Sequence, residues 1–148
     1  MQTSFKIISQ NEKNQEITDQ ISLTYEERFI RRKKLITDKG VEFLVNLKEA
    51  KNIDENQFFE LDNGKLIKIV SKKENLIEIT GGNINKIIWH LGNRHVQVEI
   101  KKNKVLIEDD PIILDMILKL NGNVKKVFEK FNPEGGAYGL GRTHSHKH

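Results

Sequence analysis

The chain of 148 residues contains no cysteine, and this absence limits both its covalent structure and its metal chemistry. Without cysteine there is no disulfide framework. Thiolate, the ligand favoured by copper(I), iron–sulfur clusters and structural zinc, is also missing. Any metal that the chain binds must therefore be held by nitrogen and oxygen ligands.

Long apolar runs are missing as well. No stretch approaches the roughly 18 apolar residues that a membrane span requires. The first eight residues, MQTSFKII, lack the basic, apolar and small-residue regions of a signal peptide. We therefore expect a cytoplasmic protein that does not cross a membrane.

Charge of one sign is only slightly in excess. The formal net charge of +4 arises from 25 Lys and Arg residues against 21 Asp and Glu residues, mixed along the chain. This bias is compatible with an acidic protein partner or with nucleic acid, but the mixing argues against one dominant basic face.

The first 70 residues predict a small β domain, because short β-branched and aromatic runs alternate with turn signals. Asp38-Lys39-Gly40 separates residues 31–37 from residues 41–47, and Asp62-Asn63-Gly64-Lys65 separates residues 58–61 from residues 66–70. Asn63-Gly64 predicts a type I′ hairpin turn, in which both central residues have positive φ.

Two polar segments stand out in this half. Arg31-Arg32-Lys33-Lys34 is the densest charge cluster, and it is either a solvated strand edge that discourages aggregation or a docking patch for an acidic partner. The five polar residues 71–75 predict the junction between two domains. We expect the domains to cover residues 1–72 and 73–133.

In the second half, strand and helix patterns alternate in the order strand, helix, strand, strand, helix, strand. This order is typical of an α+β, ferredoxin-like βαββαβ domain. The first helix carries its apolar stripe on Ile84, Ile87, Ile88 and Leu91 and is expected to end at Gly92-Asn93, before a strand over residues 95–100.

Asp110 and Pro111 begin the second helix, which Asn121-Gly122 ends. We expect five of its apolar residues to point inward: Ile112, Ile113, Met116, Ile117 and Leu120. The last strand covers about residues 124–131. Residues 134–148 are rich in glycine and predict a mobile tail.

The five histidines lie in two places only. His90 belongs to the last turn of the first helix, where the structural interpretation is favoured. His95 is predicted at the first position of the next strand, on its polar face, which makes it the better candidate ligand. One imidazole binds metal weakly, and a twofold dimer would supply a second His95 if the residue lay near the axis.

The tail adds three candidate ligands, His144, His146 and His148. Ser145 and Lys147 interrupt the run, which favours a native tail over a purification tag. Imidazole with carboxylate suits Ni²⁺, Cu²⁺ or Zn²⁺, and the chemistry alone does not choose among them. Binding should weaken below about pH 6.5, because histidine must be neutral to ligate.

The run HLGNRH at residues 90–95, with GGAYG at residues 135–139 and the terminal histidine cluster, resembles the UreE family, the nickel metallochaperones of urease maturation. LTYEER at residues 23–28 and the turn at residues 38–40 are similar to the N-terminal domain of that family. The resemblance covers nearly the whole chain, and HLGNRH is highly specific.

This resemblance implies a homodimer with an N-terminal β domain of the peptide-binding type and a nickel-carrying ferredoxin-like domain. It implies that His95 of two subunits and histidines of the tail bind Ni²⁺, with Cu²⁺ or Zn²⁺ as possible occupants in vitro. The implied function is not enzymatic: the protein delivers nickel to the urease apoprotein and its accessory proteins, including the accessory GTPase.

The chain departs from the family pattern in three places. Gln97 stands where family members often have proline, and residues 108–111 read Glu-Asp-Asp-Pro where some members have a further histidine pair. An auxiliary site there is expected to be absent or carboxylate-based. Three tail histidines in place of a long polyhistidine run imply less storage capacity.

Two other functions are compatible with parts of the sequence. A ferredoxin-like sheet with a basic pI also suits an RNA-recognition module, but such a module needs aromatic residues on its two central strands, and residues 76–79 and 96–100 contain none. A metal hydrolase would need a general base, for which Glu99 is the one nearby candidate. We therefore expect no nucleic-acid partner and no catalysis.

Overall fold

The computed structural model describes residues 1–135, which form two compact units. The first unit is Met1–Lys72, and the second begins at Lys73. The predicted tail of residues 134–148 lies almost entirely outside the described residues. No helix within residues 1–135 is long and apolar enough to cross a membrane.

The first unit is a six-stranded mixed sheet with a single turn of 3₁₀ helix at Glu26–Arg28. The strand order is β2-β6-β5-β1-β4-β3, in which β2 and β6, and likewise β1 and β4, run parallel. The strands are β1 (Gln2–Ile8), β2 (Ile17–Leu23), β3 (Phe29–Ile36), β4 (Glu42–Asn52), β5 (Phe58–Leu61) and β6 (Leu66–Ser71).

The core of this unit follows from strand alternation. In β4, Phe43, Val45 and Leu47 are buried while the residues between them are exposed, because successive side chains of a strand point to opposite faces. Phe43 packs edge-on against Phe59 of β5, with ring centroids 5.4 Å apart. The predicted N-terminal β domain is confirmed.

The hairpin between β5 and β6 exists, but its predicted type I′ turn is wrong. Gly64 has a φ of +82°, whereas Asn63 does not have a positive φ. The Leu61 amide donates to the Lys65 carbonyl at 2.9 Å, so three residues form the loop and only the last of them must be left-handed. Gly40, with a φ of +86°, ends the β3–β4 turn in the same way.

The second unit has the order βαββαβ, as predicted, and its sheet is antiparallel throughout with strand order β10-β7-β9-β8. β7 and β10 pair along their whole length, from Asn123↔Thr80 to Lys130↔Lys73. The elements are β7 (Lys73–Thr80), α1 (Ile84–Asn93), β8 (Glu99–Ile100), β9 (Val105–Glu108), α2 (Pro111–Lys119) and β10 (Asn123–Lys130).

The helices cover one face of this sheet. Buried isoleucine and leucine residues from both helices pack against strand residues in a single apolar cluster: Ile77, Ile79, Ile87, Leu91, Val105, Ile107, Ile113 and Ile117. The predicted stripe of α1 is confirmed, with Ile87 and Leu91 buried and Ile84 and Ile88 partly buried.

Three details of the prediction for this unit are wrong. Lys73, Glu74 and Asn75 belong to β7 and pair with β10, so the polar junction shrinks to Lys72. Ile112 is 77% exposed, because it lies in the first turn of α2 on the side away from the sheet. The strand predicted over residues 95–100 is reduced to Glu99–Ile100.

Candidate metal centre

Of the four predicted ligands, the structure places His95. The others, His144, His146 and His148, lie outside the described residues. Within residues 1–135, no three His, Asp or Glu side chains lie close enough together to hold a metal ion. His95 is therefore the one predicted ligand that lies within the described residues.

His95 lies at the turn that closes α1, one residue beyond the C-cap Arg94. The His95 amide donates to the carbonyl of Gly92 at 3.0 Å, and the Val96 amide donates to that of Leu91 at 3.0 Å. These two bonds are the Schellman motif, in which the residue after the cap is left-handed. They satisfy carbonyls that would otherwise lack partners at the helix end.

His95 has a φ of +59° and is exposed. A left-handed conformation costs a non-glycine residue roughly 1–2 kcal/mol, although histidine tolerates it better than most. The prediction that His95 begins a strand is thus wrong, while its predicted exposure agrees with the structure. Gly92 lies nearby, but it does not have a positive φ; His95 is the residue in the left-handed conformation.

The sequence contains a pattern that indicates this helix end. A Schellman motif brings an apolar residue after the turn against an apolar residue of the last helical turn. Val96 packs on the apolar cluster that contains Leu91, five residues earlier. That spacing would have moved the helix end from Gly92-Asn93 to Arg94-His95.

His90 lies in the last turn of α1, the position that the sequence predicted for it. It is half-buried, and its carbonyl accepts a hydrogen bond from the Arg94 amide at 3.2 Å. Its ring meets that of Trp89 edge-on, with centroids 5.0 Å apart. Trp89 itself is 63% exposed.

Three carboxylates near the candidate site form hydrogen bonds or ion pairs within the chain. Glu99 accepts a hydrogen bond from the Asn132 amide at 2.9 Å and pairs with Lys101 at 3.6 Å. Asp110 caps α2 by accepting from the Ile112 amide at 2.9 Å. Asp109 pairs with Lys126 at 3.8 Å.

The nucleic-acid alternative finds no support on the sheet. The central strands are β7 and β9, not β7 and β8, because β8 lies at the edge. Neither central strand carries an aromatic residue on which a base could stack. The face of this sheet opposite the helices instead contains the ion pair between Lys104 and Glu78, with N and O 2.8 Å apart, and its Leu76 and Leu106 are buried.

Comparison with known proteins gives concordant matches for both units. Residues 6–72 match the family model described as the UreE urease accessory protein N-terminal domain, and residues 74–148 match that of the C-terminal domain.

Full-length relatives agree with these models. A urease accessory protein UreE from Ruegeria pomeroyi is 42% identical over 133 residues, covering 90% of this chain and 89% of the relative. The one from Rhodobacter capsulatus is 42% identical over 130 residues, covering 88% and 83%.

Proposed function

Since the chain belongs to the UreE urease accessory protein family, we propose that it is a nickel metallochaperone that delivers Ni²⁺ to the urease apoprotein during maturation of its active site. In this role it binds and releases a metal and catalyses no reaction. Its partners are the urease apoprotein and the accessory proteins, including the accessory GTPase, in the cytoplasm.

The observation that carries the proposal is the backbone of His95. An exposed imidazole stands at a left-handed position that glycine would occupy with less strain. Local strain of this kind is found at functional sites, where a side chain is required in spite of the backbone. The backbone at His95 is fixed by the two bonds of the helix end, so the imidazole projects from a rigid base.

One His95 cannot form the site alone, because a single imidazole binds a divalent metal weakly and the other described residues form no metal-ligand cluster around it. We propose that a homodimer brings His95 of two subunits to one nickel ion, and that His144, His146 and His148 supply further ligands. A twofold axis passing near an exposed residue places its copy opposite it.

Nitrogen ligands also suit Cu²⁺ and Zn²⁺, and affinity generally peaks at copper. The proposal therefore concerns nickel as the cargo and does not require exclusive binding. Because imidazole must be neutral to ligate, nickel should be released as the solution is acidified.

The test is calorimetric titration of Ni²⁺ into four chains: the intact protein, His95→Gly, Asn121→Gly and a chain ending before His144. His95→Gly removes the imidazole while favouring the observed backbone. Asn121 holds the equivalent position after α2 with a φ of +61°, so Asn121→Gly makes the matched backbone change without touching a proposed ligand.

We expect one tight nickel per dimer in the intact protein and in Asn121→Gly. That binding is lost in His95→Gly, and the truncated chain binds nickel more weakly or at fewer sites. If His95→Gly binds nickel as the intact chain does, the shared site is wrong. If nickel binds as expected but urease is activated normally without this protein, the delivery function is wrong.

A further inference from the structure

The outer face of β1, β4 and β3 in the first unit forms an exposed surface. Since Phe43 and Val45 point into the core, Leu44 and Asn46 point outward. The strand register places Thr3 and Lys34 on either side of Leu44, and places Arg32 beside Asn46. These residues share one face because they are aligned across the sheet.

Two large apolar side chains on this face are exposed to solvent. Phe5 is 59% exposed and Leu44 is 41% exposed. Both line a shallow groove of about 490 Å³, along which Arg32 and Lys34 form the charged wall. Single exposed apolar residues are ordinary, but apolar residues grouped in a groove with a polar rim are typical of binding surfaces.

The charge of the groove has one sign. Of the residues that line it, at positions 3, 5, 32–34 and 44–46, none is acidic. The nearby Glu42 pairs with Lys34 at 3.4 Å, but both side chains are about half exposed, and pairs of this kind contribute little. Lys34 can therefore exchange Glu42 for another carboxylate at small cost.

The side chain of Arg32 is oriented by a hydrogen bond on this face. Its Nε donates to the side-chain oxygen of Asn46 at 3.0 Å, which orients the guanidinium along the wall of the groove. A guanidinium has five N–H donors, and its fork matches a carboxylate. This single bond leaves most of those donors for a partner.

We propose that this groove binds an acidic, extended segment of a partner protein. Apolar side chains of the segment lie on Phe5 and Leu44, while its carboxylates pair with Arg32 and Lys34. β3 is an edge strand, but its consecutive cations discourage addition of another strand. Recognition therefore depends on side chains, with apolar contacts and charge both required.

The groove belongs to the first unit only, and its binding does not depend on a metal. The sequence allows two interpretations of the Arg31–Lys34 cluster, a solvated edge or a docking surface. A solvated edge requires only the charged residues. A docking surface also requires the exposed side chains of Phe5 and Leu44, which form the floor of the groove. The two are distinguished by altering the floor and the wall separately.

The experiment measures fluorescence anisotropy of a labelled decapeptide of alternating Glu and Leu added to the full chain. Two comparison peptides replace every Leu with Ser or every Glu with Lys. Phe5→Ser alters the floor and Arg32→Glu alters the wall. Their matched controls are Ile17→Ser, at a 48% exposed position on β2, and Lys13→Glu.

We expect Phe5→Ser and Arg32→Glu each to weaken binding of the Glu–Leu peptide by about tenfold or more, and the controls by less than about twofold. The Ser peptide should bind weakly to every chain. Arg32→Glu should gain affinity for the Lys–Leu peptide, and this gain would show that the variant is folded.

Three results would overturn the proposal. Equal losses in the controls, or equal binding of the Ser peptide, would mean that general charge attracts the probe. Tighter binding of a labelled oligouridylate that is lost in Arg32→Glu would assign the face to nucleic acid. A dimer that dissociates on Phe5→Ser in sedimentation velocity would assign it to a second copy of the chain.

Discussion

His95 and Asn121 occupy the same backbone position at the ends of α1 and α2. Each follows the C-cap residue with positive φ, +59° for His95 and +61° for Asn121. The same two hydrogen bonds close both helix ends, and all four N···O distances are 3.0 Å. Asparagine is a common choice at this position and histidine is a less common one, so the difference between the two ends lies in the side chain.

His95→Gly should leave the protein as stable as before or raise its free energy of unfolding by up to about 1 kcal/mol, because glycine removes the cost of the left-handed conformation. Asn121→Gly should have a similar or smaller effect. Urea denaturation of the metal-free proteins measures both. A loss of more than about 1 kcal/mol in His95→Gly alone would mean that the imidazole supports the fold.

Two glycines near these helix ends should respond oppositely to alanine. A Cβ at Gly122 would lie 2.7 Å from Ile117 Cγ2 and 2.9 Å from Ile87 Cδ1, inside the core. Gly122→Ala should therefore destabilise the protein by about 1–3 kcal/mol.

Gly92 has open space around its Cβ position and lies within α1. Gly92→Ala should stabilise the protein by about 0.5–1 kcal/mol, since glycine is a poor helix former. Thermal unfolding of both variants checks the pair. Destabilisation by Gly92→Ala would show that the glycine of HLGNRH serves a contact that the structure of one chain does not contain.

Asp38 should make the stability of the first unit depend on pH. Burial raises the pKa of its carboxyl group, but hydrogen bonds from Gln20 and Ser22 and the charge of Lys72 lower it more, so the pKa lies below 3.8. The Gln20 amide and the Ser22 hydroxyl donate to it at 2.9 and 2.8 Å.

A lowered folded-state pKa adds stability above the unfolded value, and this stability is lost as pH falls through the folded pKa. Asp38→Asn should therefore lower the free energy of unfolding near pH 6, and because the carboxylate is exposed to solvent the loss should be below about 1 kcal/mol. Urea denaturation should show the gap closing as pH falls below 3.8. Asp62→Asn, in the β5–β6 turn, is the control, and an equal and parallel effect there would contradict the assignment.

The pKa of Glu78 should depend on Lys104, whose Nζ lies 2.8 Å from the Glu78 carboxylate. The hydrogen bond from Lys104 lowers the pKa of Glu78 below 4.5 more than burial raises it. Lys104→Met should move that pKa up towards 4.5, as followed by NMR of the Glu78 carboxyl carbon. Lys101→Met should move it less, because Lys101 acts only through its more distant charge; equal shifts would mean that general charge controls Glu78.

The architecture of both units could be predicted from residue patterns, because apolar spacing and turn residues report directly on local structure. Ile87 and Leu91 fell on the buried face of α1 as their spacing indicated. Ile112 did not, because apolar character alone does not tell which side of a first helical turn meets the sheet. The same limit applies to Lys73–Asn75, whose strand structure depends on pairing with distant β10.

The conformation of the candidate site was harder to predict than its location. His95 was identified from the HLGNRH run, but its left-handed backbone is set by Leu91 and Val96 on either side of it. The groove in the first unit depends on the register of three strands that are far apart in the sequence. Neither can be deduced from the type of a single residue.

The full-length pairing of β7 with β10 has a consequence for synthesis. β7 is synthesised before Asn123–Lys130 exists, and until then one side of β7 lacks its partner. The first unit has all six of its strands within Met1–Lys72 and can pair them earlier. The sheet beneath α1 is therefore completed only after Lys130 has been synthesised.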